Sequence, residues 1–235
     1  MKYGLVPAAF SVVFCLLLNS LCWGTPLEQD VAVYFRGEEI KLSLVYQDGR
    51  FYGFRPEMSQ LLLPASGVEQ SVSPADNGQW LPLRTYWEEL GFRVLWRPAL
   101  KAIIISDNPG DPTIPPAALA IAEQAIADTE WLTAETEDSL AAHFRRFYTP
   151  ETVGGLVKDT WEFIKVETDW HSLYTLKDAQ LLDRGEDWCL LEVTVSETHV
   201  FLADPVTFPG IMKLYRLDSG WRIGAYRYLA DGIYY

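Results

Sequence analysis

The sequence predicts an α+β fold: a small antiparallel sheet with one helix, linked to a second domain in which helices precede a curved, cone-like antiparallel sheet. Three observations predict it. Residues 78–106 combine a short strand, an amphipathic helix and a hairpin, and residues 108–116 then contain four prolines. Beyond them, apolar residues first recur at a helical period and later alternate as in strands.

The helix within residues 78–106 has local start and stop signals. Thr85 and Glu88 have the spacing of a capping box, which satisfies two free backbone donors at a helix start. Leu83, Tyr86 and Leu90 follow the helical period and predict the buried face. Gly91 stands where a left-handed residue commonly ends a helix.

A hairpin is predicted directly after this helix. In residues 92–96, Phe92, Val94 and Trp96 alternate with Arg93 and Leu95, as in a strand with one more buried face. Residues 97–100 contain a proline and predict a turn, and residues 102–106 form a short β-branched run. The local signals agree from one element to the next, which favours a single small α+β unit.

This unit resembles the copper amine oxidase N-terminal-like domain of secreted Gram-positive proteins. The resemblance lies in LPLR at 81–84, an acidic residue at 88 or 89, Leu-Gly at 90–91, Val94, Trp96 and the run at 102–105. Residues 31–40 look like the opening strand, turn and strand of the family. The resemblance covers residues 30–107 and implies a twisted antiparallel sheet around one helix, used as a stalk or attachment module.

Oxidase activity is not expected from this resemblance, because the family takes its name from an appendage of the enzyme. Copper sites favour converging imidazoles, whereas His143, His171 and His199 are far apart in sequence. No tyrosine lies in an Asn-Tyr-Asp or Asn-Tyr-Glu sequence of the kind that becomes the quinone cofactor. The sequence therefore predicts no metal and no cofactor.

Residues 1–24 predict a secretory signal peptide. Lys2 precedes a mostly apolar stretch, and Cys22-Trp23-Gly24 comes before a cleavage point ahead of Thr25. An uncleaved anchor is the main alternative. A lipoprotein signal at Cys22 is less favoured, because Leu21 is bulky where such signals need a small residue. The expected location is extracytoplasmic, with no membrane span after cleavage.

Composition narrows the possible partners. Without its signal the chain keeps one cysteine, Cys189, in an apolar run that predicts a buried small hydrophobe with no internal disulfide. The net charge of −13 disfavours nucleic acid, whose phosphates require clusters of Lys and Arg. The expected partners are another protein, a cell-wall polymer or a small ligand.

The second predicted domain covers residues 117–235, after a semi-rigid proline-rich linker at 108–116. Helices are predicted at 117–132 and 138–148, with a third starting at Thr149-Pro150. Strands are predicted at 173–176, 179–183, 188–197, 211–217 and 221–229. The order, and the hairpin at 212–223, is similar to the nuclear transport factor 2-like (SnoaL-like) family, which implies helices closing over a curved sheet.

That cone fold often encloses a pocket, so we expect any ligand site to lie in this half of the chain. His143, Asp169, His171 and Tyr174 are the candidates for ligand binding or, less favoured, for acid–base chemistry, although no spacing motif links them. Aromatic residues in the same half could line a ligand pocket, although core packing is the favoured interpretation: Trp161, Trp170, Trp188, Tyr215, Trp221, Tyr226 and Tyr228.

The leading functional hypothesis is a secreted or cell-envelope, non-enzymatic binding or attachment protein of a Gram-positive-type bacterium. The alternative is a small-molecule lyase, an isomerase or a ligand pocket in the C-terminal cone. A homodimer formed through the sheet of the C-terminal domain is a third possibility.

Overall fold

The computed structural model describes residues 31–62, 79–107, 113–165, 172–199 and 204–229. These residues form an α+β protein, as the sequence predicts. Their contacts divide the chain into a smaller unit, Ser43–Leu83, and a larger one made of Gln29–Leu42 and Arg84–Tyr235. The predicted signal peptide at 1–24 and most of the predicted linker, 108–112, lie outside the described residues.

The smaller unit contains a three-stranded antiparallel sheet in the order β3-β4-β5, and one short helix, α1. Its elements are β3 (Leu44–Gln47), β4 (Arg50–Phe54), α1 (Arg55–Gln60) and β5 (Trp80–Pro82). Asp48 and Gly49 join β3 to β4 with positive φ angles of 50° and 77°, the conformation of a type I′ hairpin turn. Met58 of α1 is fully buried beside Gly53, where a side chain would collide with its sulfur.

The larger unit begins with a four-stranded sheet in the order β2-β1-β7-β6. The strands are β1 (Ala32–Phe35), β2 (Glu38–Ile40), β6 (Arg93–Arg97) and β7 (Ala102–Ser106), with a 3₁₀ turn at Pro98–Leu100. The expected opening strand, turn and strand is present, and so is the hairpin after Gly91. The sheet is mixed and not fully antiparallel, because β1 and β7 pair in parallel. A short turn makes the two strands that it joins antiparallel, so a hairpin can be predicted from its turn. No short turn joins β1 to β7, so the local sequence does not set their relative direction.

Helix α2 (Leu83–Glu89) differs from the prediction at its start and in its buried face. It begins at Leu83, so Thr85 lies inside the helix and does not cap it. Leu83 is buried as predicted and Trp87 is buried as well, whereas Leu90, expected to face inward, is 48% exposed. Trp87 contacts the rings of Phe35 and Phe92 at centroid distances of 5.1 Å, so these partners determine which face is buried. Gly91 has a φ of 88° and ends the helix as predicted.

Three helices follow in the larger unit: α3 (Pro116–Ala127), α4 (Glu137–Phe144) and α5 (Pro150–Lys165). The predicted helix at 117–132 is interrupted after α3 and continues as a 3₁₀ turn at Glu130–Thr133. The Asp128 side chain accepts a hydrogen bond from the Glu130 backbone N–H at 3.2 Å, which stabilises this interruption. Helix α4 has a capping box in which Thr136 and Ser139 bond each other's backbone N–H. Helix α5 begins at Pro150, as expected.

The C-terminal sheet has four antiparallel strands in the order β11-β10-β9-β8. They are β8 (Ser172–Arg184), β9 (Trp188–His199), β10 (Val206–Leu217) and β11 (Gly220–Tyr228). The two strands predicted at 173–176 and 179–183 are one strand. The pairing of β8 with β9 skips Lys177 and then Leu182, so two β-bulges interrupt the alternation without ending the strand.

The faces of this sheet contact different parts of the larger unit. On one face, Ala118 and Ala122 of α3 pack with a core that includes Leu191, Met212 and Ile223. Cys189 belongs to this core, as predicted, and burial raises the pKa of its thiol to about 12. On the other face, strands β1 and β7 of the mixed sheet contribute to a second cluster, made of Ala32, Tyr34, Leu100, Ala102, Ile104, Leu182, Leu190 and Ile211. The chain before and after the proline-rich segment therefore shares one hydrophobic cluster.

Polar contacts accompany this second cluster. Ser106 at the end of β7 donates a 2.5 Å hydrogen bond to Oδ1 of Asp183, and Arg93 donates to the carbonyl of Leu182 at 3.0 Å. The buried ammonium of Lys213 pairs with Glu38 and lies over the rings of Trp188 and Tyr215. In the described part of the chain, no helix is both long and apolar enough to cross a membrane.

Candidate ligand-binding site

Two of the four predicted site residues lie in described elements. His143 is near the end of α4, and Tyr174 is near the start of β8. Asp169 and His171 lie outside the described residues. His143 and Tyr174 are at opposite ends of a row of aromatic rings that crosses one face of the C-terminal sheet and continues onto α4.

We call this series of contacts the aromatic row. Its successive ring centroids are 5.5 to 6.4 Å apart, and neighbouring rings are tilted or edge-on, the geometry that aromatic pairs favour. Its members in order are Tyr174, Phe208, Tyr228, Tyr226, Tyr148, Phe144 and His143. Tyr148, Tyr226 and Tyr228, which we call the tyrosine cluster, lie at its centre.

A β-bulge places two of these tyrosines on the same face as the core. Ile223 pairs with Leu214, and Tyr226 pairs with Met212, so Gly224 is the extra residue between the two pairs. Without that bulge, Ile223 and Tyr226, three residues apart, would point to opposite faces. Gly224 allows the bulge because a Cβ there would lie 2.3 Å from the ring of Tyr215.

The third tyrosine reaches the cluster through backbone pairing. The Ile223 N–H donates to the carbonyl of Phe147 at 2.8 Å, and the Thr149 N–H donates to the carbonyl of Ile223 at 2.9 Å. This bridge holds Tyr148 at the edge of β11, where its ring centroid lies 6.1 Å from that of Tyr226.

The phenols of the tyrosine cluster are held in the neutral form. Burial raises the pKa of Tyr148, with further contributions from Tyr226, Tyr228 and Asp128. Burial raises the pKa of Tyr228 as well. Partial burial, followed by the charge of Asp159 on α5, raises the pKa of Tyr226. Near neutral pH these phenols are hydrogen-bonding groups, and none has the lowered pKa of an activated base.

His143 has protein partners at both ring nitrogens. Nε2 lies 2.6 Å from Oδ2 of Asp128, and both side chains are mostly buried, at 12% and 9% exposure. Nδ1 lies 3.4 Å from Nη1 of Arg146, which also donates to Glu130 at 2.7 Å. Because Asp128 also stabilises the interruption after α3, the His143–Asp128 pair joins α4 to that segment.

Asp128, Glu130 and His143 have the residue types of a metal site, and their ligand atoms lie within 4.8 Å of one another. The guanidinium of Arg146 already supplies a positive charge to this group, and its hydrogen bond lowers the pKa of Glu130. The cluster is therefore an ion-pair network with its own cation, in which a metal would have to compete with Arg146.

Sequence reasoning named Tyr226 and Tyr228 among possible pocket aromatics but did not identify Tyr148, Asp128 or Asp159. Tyr148 depends on pairing with a strand more than seventy residues later, for which the sequence has no local signal. Trp188 and Tyr215, also on the aromatic list, instead cover the buried ammonium of Lys213.

Comparisons with known proteins identify no family. No protein-family model and no curated protein matches the sequence. Among solved structures, the chain is similar to the crystal structure of the intermembrane space region of the chloroplast protein ARC6, with a TM-score of 0.34 and 14% sequence identity. The match covers 50% of this chain and 99% of that one. A similarity at this level assigns neither a fold family nor a function.

Proposed function

We propose that this chain is an extracytoplasmic, non-enzymatic binding protein whose C-terminal sheet holds a ligand on the tyrosine cluster. The observation that carries the proposal is the cluster itself, because it brings three aromatic rings and three neutral phenols together at one edge of the sheet. Tyr226 is 40% exposed, so part of the cluster is open to a ligand from solvent. Aromatic surface combined with a few polar groups is typical of ligand sites.

The chemistry of the neighbouring residues favours binding over catalysis. General acid–base catalysis needs a group whose pKa is close to the working pH and that can reach a substrate proton. The phenols have raised pKa values. His143, the described candidate for a base, is already engaged by Asp128 and Arg146.

The extracytoplasmic location in this proposal comes from residues 1–24, with their charged start, apolar stretch and small residue before Thr25. The resemblance of residues 30–107 to an appendage module supports a role for the N-terminal region in attachment to another protein or to a cell-wall polymer. The resemblance of residues 117–235 to the nuclear transport factor 2-like family supports a ligand pocket on the helix-covered face of the C-terminal sheet.

Thermal unfolding with a panel of compounds tests the proposal. The panel covers alkylammonium ions, neutral sugars, amino acids, carboxylates and aromatic alcohols, because a ligand that binds the folded state raises the melting temperature. We expect at least one class to raise it, and we expect every compound to be recovered chemically unchanged.

Matched variants locate the binding. Tyr226→Ala should abolish the ligand-induced rise, whereas Tyr46→Ala, which removes a similarly exposed tyrosine in the smaller unit, should preserve it. Conversion of any panel compound by the protein would overturn the non-enzymatic part of the proposal. An undiminished rise in Tyr226→Ala would overturn the location of the site.

A further inference from the structure

We propose that the tyrosine cluster binds an organic cation of the quaternary-ammonium or methylated-amine class against the faces of its rings. This inference rests on the proposed function, because it names the ligand class of the same site. Three features of the cluster carry it: the angles between the rings, the acidic residues beside them and the direction of the neighbouring arginine.

The rings present their faces at angles to one another. Tyr226 lies 5.5 Å from Tyr228 at an interplanar angle of 43°, and 6.1 Å from Tyr148 at 51°. A cation is attracted to the face of an aromatic ring within about 6 Å of its centroid. With centroids this close together, one ammonium group can lie within that range of more than one ring.

The negative charges of two carboxylates, Asp159 and Asp128, influence the tyrosine cluster. The charge of Asp159 contributes to the raised pKa of Tyr226, and the charge of Asp128 contributes to that of Tyr148. Asp159 is exposed on α5, whereas Asp128 is already paired with His143. Asp159 is therefore the residue that we expect to favour a cationic ligand over a neutral one, in a chain whose net charge is already −13.

Arg227 lies between two of the tyrosines in sequence but acts on the other face of the strand. Residues that alternate along a strand point to opposite faces. In agreement with this, the charge and hydrogen bond of Arg227 act on Tyr34, a member of the core cluster on that opposite face. The tyrosine cluster is thus not neutralised by the nearest basic residue in the sequence.

Choline and its neutral carbon isostere, 3,3-dimethylbutan-1-ol, test the proposal by calorimetric titration into the full chain. The two compounds have nearly the same shape, so the difference in affinity reports the positive charge. We expect choline to bind at least about tenfold more tightly than the isostere, the size of a partly desolvated cation–π interaction. Equal affinities for the two compounds would overturn the proposal.

Variants separate the ring from the hydroxyl and from the charge. Tyr226→Phe should keep choline binding within a small factor, Tyr226→Ala should weaken it about tenfold, and Tyr46→Ala should leave it unchanged. Asp159→Asn should weaken it at low salt and have little effect at high salt, because an exposed charge is screened. Choline binding of undiminished affinity in Tyr226→Ala would contradict the assignment of the site.

Failure of this inference is distinguishable from failure of the proposed function. If a neutral panel compound raises the melting temperature through Tyr226 while choline does not bind, the cation assignment is wrong and the binding function stands. If Tyr226→Ala changes neither the binding of choline nor the rise in melting temperature caused by any other panel compound, both proposals are wrong.

Discussion

The ring of Tyr228 lies directly over Gly210 on the adjacent strand, where an added Cβ would be 2.4 Å from its Cδ1 atom. The two residues are register partners across β10 and β11. Gly210 therefore provides the space that the ring of Tyr228 occupies, and that ring contacts Phe208 and Tyr226.

Gly210→Ala tests this relationship. The new methyl group would collide with the ring and lie 2.9 Å from the carbonyl oxygen of Arg227, so either the ring or the strand must move. We expect a loss of about 1–3 kcal/mol in unfolding free energy, as for overpacking of a well-packed site. Denaturant unfolding measures it. Gly154→Ala in α5 is the control, because no atom lies near its added Cβ, and it should be neutral or stabilising. Equal stability of Gly210→Ala and wild type would show that Tyr228 does not depend on this space.

The His143–Asp128 pair should stabilise the fold. Both side chains are mostly buried and their atoms lie 2.6 Å apart, so we expect His143→Gln and Asp128→Asn each to cost about 1.5–3 kcal/mol, the range for hydrogen bonds to charged groups. A double-mutant cycle by urea unfolding should show strong coupling between them. The exposed pair Lys165–Glu162 is the control, and its coupling should be close to zero. Wild-type stability in both single variants would contradict this role and leave the pair free for chemistry.

Asp183 should make stability depend on pH. Burial raises its pKa, although Ser106 and the Arg184 backbone N–H both donate to it, and its Oδ2 has no hydrogen-bond partner within the described ranges. When folding raises the pKa of a group, the contribution of that group to stability is fully present at pH values below its unfolded pKa, which is about 3.9 for aspartate. That contribution is lost as the pH rises through the folded pKa. Asp183→Asn does not titrate, so it should gain stability relative to wild type between about pH 4 and pH 7.

Urea unfolding of both proteins at several pH values in that interval measures the difference. Asp178→Asn, at an exposed position on the same strand, is the control, and its difference from wild type should change less with pH. A difference between Asp183→Asn and wild type that stays constant with pH would show that Asp183 titrates as it does in the unfolded chain.

Local signals allowed much of the fold to be predicted. The strand ending at Ser106, the helix stop at Gly91 and the start of α5 at Pro150 all agree with the structure, because each depends on residues adjacent in sequence. Of the residues predicted to form the buried face of α2, Leu83 is buried but Leu90 is exposed, and Trp87, which was not predicted, is fully buried. Which face of α2 is buried depends on the contact of Trp87 with Phe35, a residue far away in the sequence.

The candidate site was less predictable than the fold. His143 could be selected by residue type, but its partner Asp128 lies in an interruption that the helical pattern of residues 117–132 did not reveal. Tyr226 faces the core through the bulge at Gly224, which reverses the alternation expected along β11. Tyr148 arrives by pairing with Ile223, a contact between distant residues.

N-terminal processing tests the proposed location. When the full chain is expressed in a secreting Gram-positive bacterium, we expect the released protein to begin at Thr25, because Gly24 supplies the small residue before the cleavage point. N-terminal sequencing of the released and membrane fractions measures this. Gly24→Trp should block the cleavage. A protein that retains Met1 in the membrane fraction would instead support the anchor alternative.

The most direct test of ligand binding on the tyrosine cluster is fluorine NMR of the protein labelled with 3-fluorotyrosine. Each of the twelve tyrosines is assigned by its Tyr→Phe variant. Addition of the compound that stabilises the protein most should shift the resonances of Tyr148, Tyr226 and Tyr228, leave that of Tyr46 in place, and leave the compound intact in the proton spectrum of the same sample. Shifts confined to tyrosines outside the cluster, or conversion of the compound, would contradict a binding protein with its site at these three residues.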